Sequence, residues 1–195
     1  MADKNKIKYN LKNTHYAKQV TSEDGVITYE TPVSIPGSVS LALDAQGEIS
    51  HFYADGIDYY TSSSNNGYEG DLEVALIPES FRKDILGETL DSKNVLVESA
   101  DDKMEKFALL FEFSGDKKAV RHVLYNCTAT RPSIESQTKE ETIDPGTETI
   151  TISATPRPDN NRVKAKTGDG VDEGTYAGWY KSVYEPAAGA VEQSA

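Results

Sequence analysis

Between residues 38 and 77, apolar and polar positions alternate with a period of two, in short runs broken by turn residues. Val39, Leu41 and Leu43 alternate with Ser38, Ser40 and Ala42, which predicts a half-buried strand. Ala45-Gln46-Gly47-Glu48 reads as a turn, and Ile49, His51 and Tyr53 carry the period back on a return strand. Asp55-Gly56 is a second turn signal, followed by a short aromatic strand over residues 57–61. The run Ser62-Ser63-Ser64-Asn65-Asn66-Gly67 predicts a polar loop, with Asn66-Gly67 suited to positive φ. Leu72, Val74 and Leu76 against Asp71, Glu73 and Ala75 give the cleanest one-face-buried strand.

The period changes once. Pro78 and Glu79 open a helix expected over 78–86, Gly87 stops it, and Phe81, Ile85 and Leu86 share a face that can pack on a sheet. Strands resume with Val95 and Val97, then with the strict face Phe107, Leu109, Phe111 and Phe113. Over 120–130 two faces compete, Val120/His122/Leu124 and Arg121/Val123/Tyr125. After a turn at Asp144-Pro145-Gly146 comes a strand carrying Ile150, Ile152 and Ala154, and Val163-Lys164-Ala165 predicts a short one. Pro32, Pro36 and Gly37 confine the piece over 25–35 to an edge or a connection. The fold class is mainly β: a β-sandwich or partly open barrel with one short flanking α-helix.

Charge adds an asymmetry. Of 195 residues, Lys+Arg number 20 and Asp+Glu 32, a net charge of -12. Such a surface repels phosphate, which argues against tight nucleic-acid binding by the bulk of the protein. Residues 1–20 are basic, with Lys4, Lys6, Lys8, Lys12 and Lys18 against Asp3. They are expected to be either a frayed terminus or an ordered assembly arm, and the alternation Ile7, Tyr9, Leu11 forms a strand if a partner edge exists. The domain proper is expected over 21–186, with a disordered tail over 187–195. A hydrophobic share of 37% with 27% charged residues implies long exposed segments or a core completed by partner subunits. The single cysteine, Cys127, excludes an intramolecular disulfide and fits a reducing cytoplasm. The start MADKNKIKYN has no apolar stretch, so no signal peptide is expected, and no run has the length of a membrane span.

Catalytic chemistry is hard to assemble from these residues. His15, His51 and His122 lie at no metal-ligand spacing with each other or with Cys127, and no serine sits in a nucleophile elbow. Asp55, Asp58, Glu69 and Asp71 flank one polar loop, but match neither a calcium loop nor a repeat. Gly67-Tyr68-Glu69-Gly70 precedes a strand and not a helix, so it is no phosphate cradle. No catalytic residue, cofactor or metal is expected. Tyr53, Tyr59, Tyr60 and Tyr68 allow a second reading, a carbohydrate-binding or adhesion module that stacks sugars on tyrosine rings. Trp179, Tyr180 and Tyr184 are expected to dock on their own domain or on a neighbour.

An ordered set of segments resembles the major tail tube proteins of long-tailed, non-contractile bacteriophages, particularly those of Gram-positive hosts. It includes Ile35-Pro36-Gly37, Phe52-Tyr53-Ala54-Asp55, Asn65-Asn66-Gly67-Tyr68-Glu69-Gly70-Asp71-Leu72-Glu73 and Ala75-Leu76-Ile77-Pro78-Glu79-Ser80-Phe81. Phe107–Phe113, Arg121-His122, Trp179 and Val183-Tyr184-Glu185-Pro186 continue it, so the likeness spans most of 25–186. The resemblance implies a virion protein made in the host cytoplasm that forms stacked, hexameric rings around a tape-measure protein. Tail terminator or tip proteins would be further partners, and DNA would be cargo that passes without sticking. Part of the acidic excess is then expected to face the lumen. The loop 61–70 and the basic arm become candidate contacts between rings. The assembly residues this suggests are Lys4, Lys6, Lys8, Asn65, Asn66, Tyr68, Glu69, Trp179 and Tyr184. Loss of residues 2–20 is expected to impair tube formation and leave a folded monomer.

Overall fold

The computed structural model describes residues 4–138 and 145–186. Strands dominate: β1 (Lys8–Thr21), β2 (Ile27–Tyr29), β3 (Val33–Ser34), β4 (Ser38–Gln46), β5 (Ile49–Ala54), β6 (Ile57–Ser63) and β7 (Gly67–Val74). They are followed by β8 (Thr89–Leu90), β9 (Leu96–Val97), β10 (Phe107–Gly115), β11 (Val120–Ala129), β12 (Glu148–Thr155) and β13 (Lys164–Lys166). The main sheet runs β2-β1-β10-β11-β12-β7-β4, with β3 added to β1 and β13 to β11. All its pairings are antiparallel. It curls without closing: Ser38 Oγ donates to Thr14 Oγ1 at 2.7 Å between its two ends, but no ladder joins β4 to β1.

The curl follows from which residues point inward. Phe107, Leu109 and Phe111 on β10, Leu72 and Val74 on β7, and Ile150 and Ile152 on β12 meet in one cluster. The helical segment plugs it. A single α-turn, α1 (Glu79–Phe81), widens directly into a π-turn over Arg82–Leu86 and stops at Gly87, whose φ of 86° only glycine adopts without strain. Phe81, Ile85 and Leu86 are its buried residues, as the spacing of the sequence requires. Arg82 ties the segment down through Glu88 at 3.2 Å and Glu148 at 3.0 Å.

The central strands are covered on both faces. Every residue from Phe107 to Glu112 is buried. The second face packs Ala17, Ala108, Leu110, Val123 and Tyr125 under Trp179. The two competing faces of residues 120–130 are therefore both apolar for a reason: His122 and Leu124 look inward, Val123 and Tyr125 outward. The outer cover is a C-terminal segment with a second short helix, α2 (Glu173–Gly178), which the sequence reading did not anticipate. Asp172 caps it by accepting from the Thr175 N–H at 2.8 Å.

Several expectations need correction. The basic segment 1–20 is no arm outside the domain, because residues 8–20 lie in β1, between β10 on one side and β2 and β3 on the other. Thr14, Tyr16 and Ala17 are buried there, so removal of residues 2–20 strips β10 of its long partner strand and is expected to destabilise the whole domain. The polar loop is shorter than its composition suggests, since Ser62 and Ser63 complete β6. The strand of Leu72 and Val74 ends at Val74, and Leu76 is exposed. Asp144 of the expected turn, the acidic run from Lys139 to Glu141 and the tail 187–195 lie outside the described residues.

Candidate assembly interface

Three surfaces stand out. The first is the β5–β6 hairpin, a two-stranded sheet of its own that stands clear of the body. Its root continues β4 and β7. Asn66 N–H donates to the Gln46 carbonyl and Ser64 N–H to the Glu48 carbonyl, both at 2.9 Å, and Glu48 N–H donates to Ser64 Oγ. Phe52 pairs with Tyr60 across the hairpin, so both side chains lie on one face. His51, Asp58 and Thr61 form a polar network, with His51 Nδ1 at 2.7 Å from Asp58 Oδ2. Phe52, Tyr53, Ile57, Tyr59 and Tyr60 are each 60–67% exposed. An isolated hairpin with this much apolar surface is marginal in water by itself.

The second surface is the open end of the curled sheet, opposite the helical plug. Leu41, Leu43, Tyr68, Phe111, Phe113 and His122 line a hollow of about 240 Å³. Its charged lining residues are Lys8 and Lys164. Lys8 lies 5.3 Å from the centre of the Phe113 ring, and Lys164 sits over Tyr68 and bonds its hydroxyl. His122 stacks flat on Phe111 with centroids 5.1 Å apart. Burial, then the positive charges of Lys166, Lys164 and Lys8, push its pKa down to about 4. The imidazole is neutral at pH 7.

The third surface is the outward face of β4, β7 and β12. The register places Glu73 between Ser40 and Thr149, Asp71 between Ala42 and Thr151, and Glu69 between Asp44 and Ser153. It places no lysine or arginine among them. Glu73 accepts from Thr147 Oγ1 at 2.6 Å and from Ser40 Oγ at 2.9 Å, which holds its pKa below the usual carboxylate range. Asp71 accepts from Thr151 Oγ1 at 2.8 Å. The edge of β4 that does not face β7 carries no strand among the described residues.

The residues singled out from the sequence do not form one site. Lys8 and Tyr68 come together at the mouth. Asn65 and Asn66 sit at the hairpin root, with Asn65 Oδ1 accepting from the Gly67 N–H at 3.1 Å. Glu69 lies on the acidic face, across the sheet from Tyr68. Lys4 is exposed, and the Lys6 N–H donates to Asp116 Oδ1 at 2.7 Å. Trp179 and Tyr184 dock on their own domain: they stack at 5.3 Å, and Trp179 Nε1 donates to the His122 carbonyl at 3.4 Å. Missed altogether was the clamp beneath them. Buried Glu112 accepts from Arg121 Nε at 3.0 Å, Asn13 Nδ2 at 2.8 Å and Tyr180 Oη at 3.2 Å. The Arg121 guanidinium lies 3.8 Å from the centre of the Tyr176 ring. The unbroken apolar run Phe107–Phe111 was the available signal that a second face is covered.

The tyrosines meant for sugar stacking do not share a platform, because Tyr60 and Tyr53 occupy successive, opposite-facing rungs of the hairpin and Tyr68 is held at the mouth. Among the described residues no three His, Cys, Asp or Glu side chains could hold a metal ion, and no helix is long and apolar enough to cross a membrane. Cys127 is buried, which pushes its thiol up to about 12.

The domain is thus mainly β, with a projecting apolar hairpin, an apolar mouth and a one-sided acidic face. A family model described as phage tail tube protein matches residues 3–183. The chain belongs to that family. No curated protein matches it. The match begins within the segment that the sequence reading placed outside the domain, in keeping with the pairing of β1 to β10 in the main sheet.

Proposed function

We propose that copies of this chain assemble into stacked hexameric rings that form the tube of a phage tail and the conduit for its DNA. The observation that carries this reading is the acidic face of β4, β7 and β12. Asp44, Glu69, Asp71 and Glu73 alternate there with serine and threonine hydroxyls, and no cation interrupts them. A passing phosphate backbone meets only repulsion and small polar groups, so it slides and does not bind. The free nine-residue edge of β4 supports the same reading, since an unpaired edge of that length asks for a neighbouring strand. Sheets joined edge to edge around a ring would turn the acidic face into a continuous lining. A tape-measure protein in the lumen, terminator or tip proteins at the ends and synthesis in the host cytoplasm belong to the same proposal.

Negative-stain imaging and sedimentation of the purified protein test it. The expected particles are hollow rings or tubes on the order of 100 Å across, about six domains of this size around a channel. A single chain at every concentration, or a tube whose lumen is neutral or basic, overturns the reading.

A further inference from the structure

The two amines at the mouth lack a counter-charge in a chain that has acid to spare. Acidic residues outnumber basic ones 32 to 20. Lys18, Lys83 and Lys118 each reach a carboxylate, whereas among the described residues Lys8 and Lys164 reach none. Their contacts are aromatic instead. Lys8 lies 5.3 Å from the centre of the Phe113 ring, and Lys164 lies 4.2 Å from that of Tyr68 and bonds its hydroxyl. An ammonium has three donors, so both amines keep hydrogens for an anion.

The walls beneath them are apolar and flat. Leu41, Leu43, Phe111 and Phe113 line the hollow, no acidic residue does among those described, and the neutral imidazole of His122 stacks on Phe111. An apolar cavity of roughly 150 Å³ holds one benzene ring. The hollow, at about 240 Å³, admits a fused-ring body. With Phe111, Phe113, Tyr68 and His122 around it, such a body meets ring faces and edges that an alkyl chain cannot use as well.

The hollow also sits on the seam of the sheet. Leu41 and Leu43 belong to β4 and Lys8 to β1, the strands that curl towards each other with no ladder between them. An occupant there would cover the half-buried Leu41, Leu43 and Phe113 and join the two ends of the sheet. We propose that the mouth binds a small amphipathic anion, a fused-ring aromatic monocarboxylate, with its rings on Leu41, Leu43 and Phe113 and its carboxylate at the Lys8 and Lys164 amines. The site belongs to one chain and does not depend on the tube reading, so either can fail without the other.

The test is equilibrium dialysis of the full chain, in whatever state of association it adopts, against naphthoate at pH 7. Saturable binding of one naphthoate per chain is expected, with a Kd of about 1 mM or tighter. Naphthamide, which keeps the rings and loses the charge, should bind about tenfold more weakly, and rising salt should weaken naphthoate alone. Decanoate, which keeps the charge and loses the rings, should also bind more weakly than naphthoate. Lys8→Met together with Lys164→Met should lower naphthoate affinity about tenfold and leave naphthamide unchanged. Both lysines are exposed, so the fold survives their loss, and the comparison of ligands needs no substitution at all. Naphthoate at ten times its Kd should raise the melting midpoint, since it binds the folded chain across the seam. Four results overturn the proposal: no saturable binding, equal affinity for naphthoate and naphthamide, tighter binding of decanoate than of naphthoate, or an affinity unmoved by loss of both lysines. Uptake of several molecules per chain without saturation marks general adhesion to exposed apolar surface and overturns it too.

Discussion

Arg121→Met is the sharpest test of how the two ends of the chain are held together. Glu112 is only 6% exposed, and among the described residues Arg121 is its single cationic partner. Methionine keeps much of the side-chain volume and removes the charge. It leaves a carboxylate in a dry site with the Asn13 amide and the Tyr180 hydroxyl as its remaining donors. Breaking a buried ion pair from one side costs about 3–5 kcal/mol. The lost stacking on Tyr176 and the lost bond to its carbonyl add to that, so the upper half of the range is expected. Glu112→Gln in the same background removes the stranded charge and should recover about half of the loss. Urea unfolding of the wild type, both single variants and the double variant gives the coupling directly. A cost below about 1 kcal/mol for Arg121→Met, or additive single effects, would refute the idea that this pair clamps the C-terminal segment.

Two further outcomes follow from local geometry. His122 resists protonation in the folded chain down to about pH 4, whereas the unfolded chain takes its proton near 6.5. The unfolded state thus binds more protons in that window, so stability is full above pH 6.5 and falls as pH drops towards 4. The loss is on the order of 2 kcal/mol after allowance for the residue's partial exposure, and His122→Leu should flatten the unfolding midpoint across the window. Gly67 has φ of 102°, and a Cβ there would lie 1.8 Å from the Ala154 carbonyl oxygen, in backbone that cannot give way. Gly67→Ala should therefore cost about 3 kcal/mol or more by thermal unfolding, whereas Gly146→Ala, with open space around it, should stay within about 0.5 kcal/mol.

Period-two alternation was enough to place β4, β7, β10 and β12, because each has one face set by the inner core. It failed where burial does not alternate. Leu109 and Leu110 are both buried, and only the C-terminal segment explains the second of them. That segment hid behind glycines and a six-residue helix whose buried anchor, Trp179, lies just past its end. The N-terminal strand was misread through its lysines. Lys8 and Lys12 keep their charges at the surface while Tyr16 and Ala17, further along, enter the core, and an arm and a strand look alike until the partner strand, 89 to 107 residues away, is known. Of the candidate interface, the hairpin and its turn were plain in Asp55-Gly56 and the flanking aromatics. The mouth was not, because Leu43, Tyr68, Phe113 and His122 come from four strands whose adjacency no local pattern encodes.

The pairing of β1 with β10 also sets a timetable for synthesis. Residues 8–21 leave the ribosome long before residues 107–115, and their outer cover waits for Trp179. At ribosomal rates of about 5–20 residues per second, the first strand spends several seconds without its partner. The β5–β6 hairpin closes within microseconds, since its strands are neighbours in the chain. The apolar mouth needs Lys8, Phe113, His122 and Lys164 in place together, so it exists only on nearly finished chains. A growing chain therefore displays its apolar hairpin well before its apolar mouth is built.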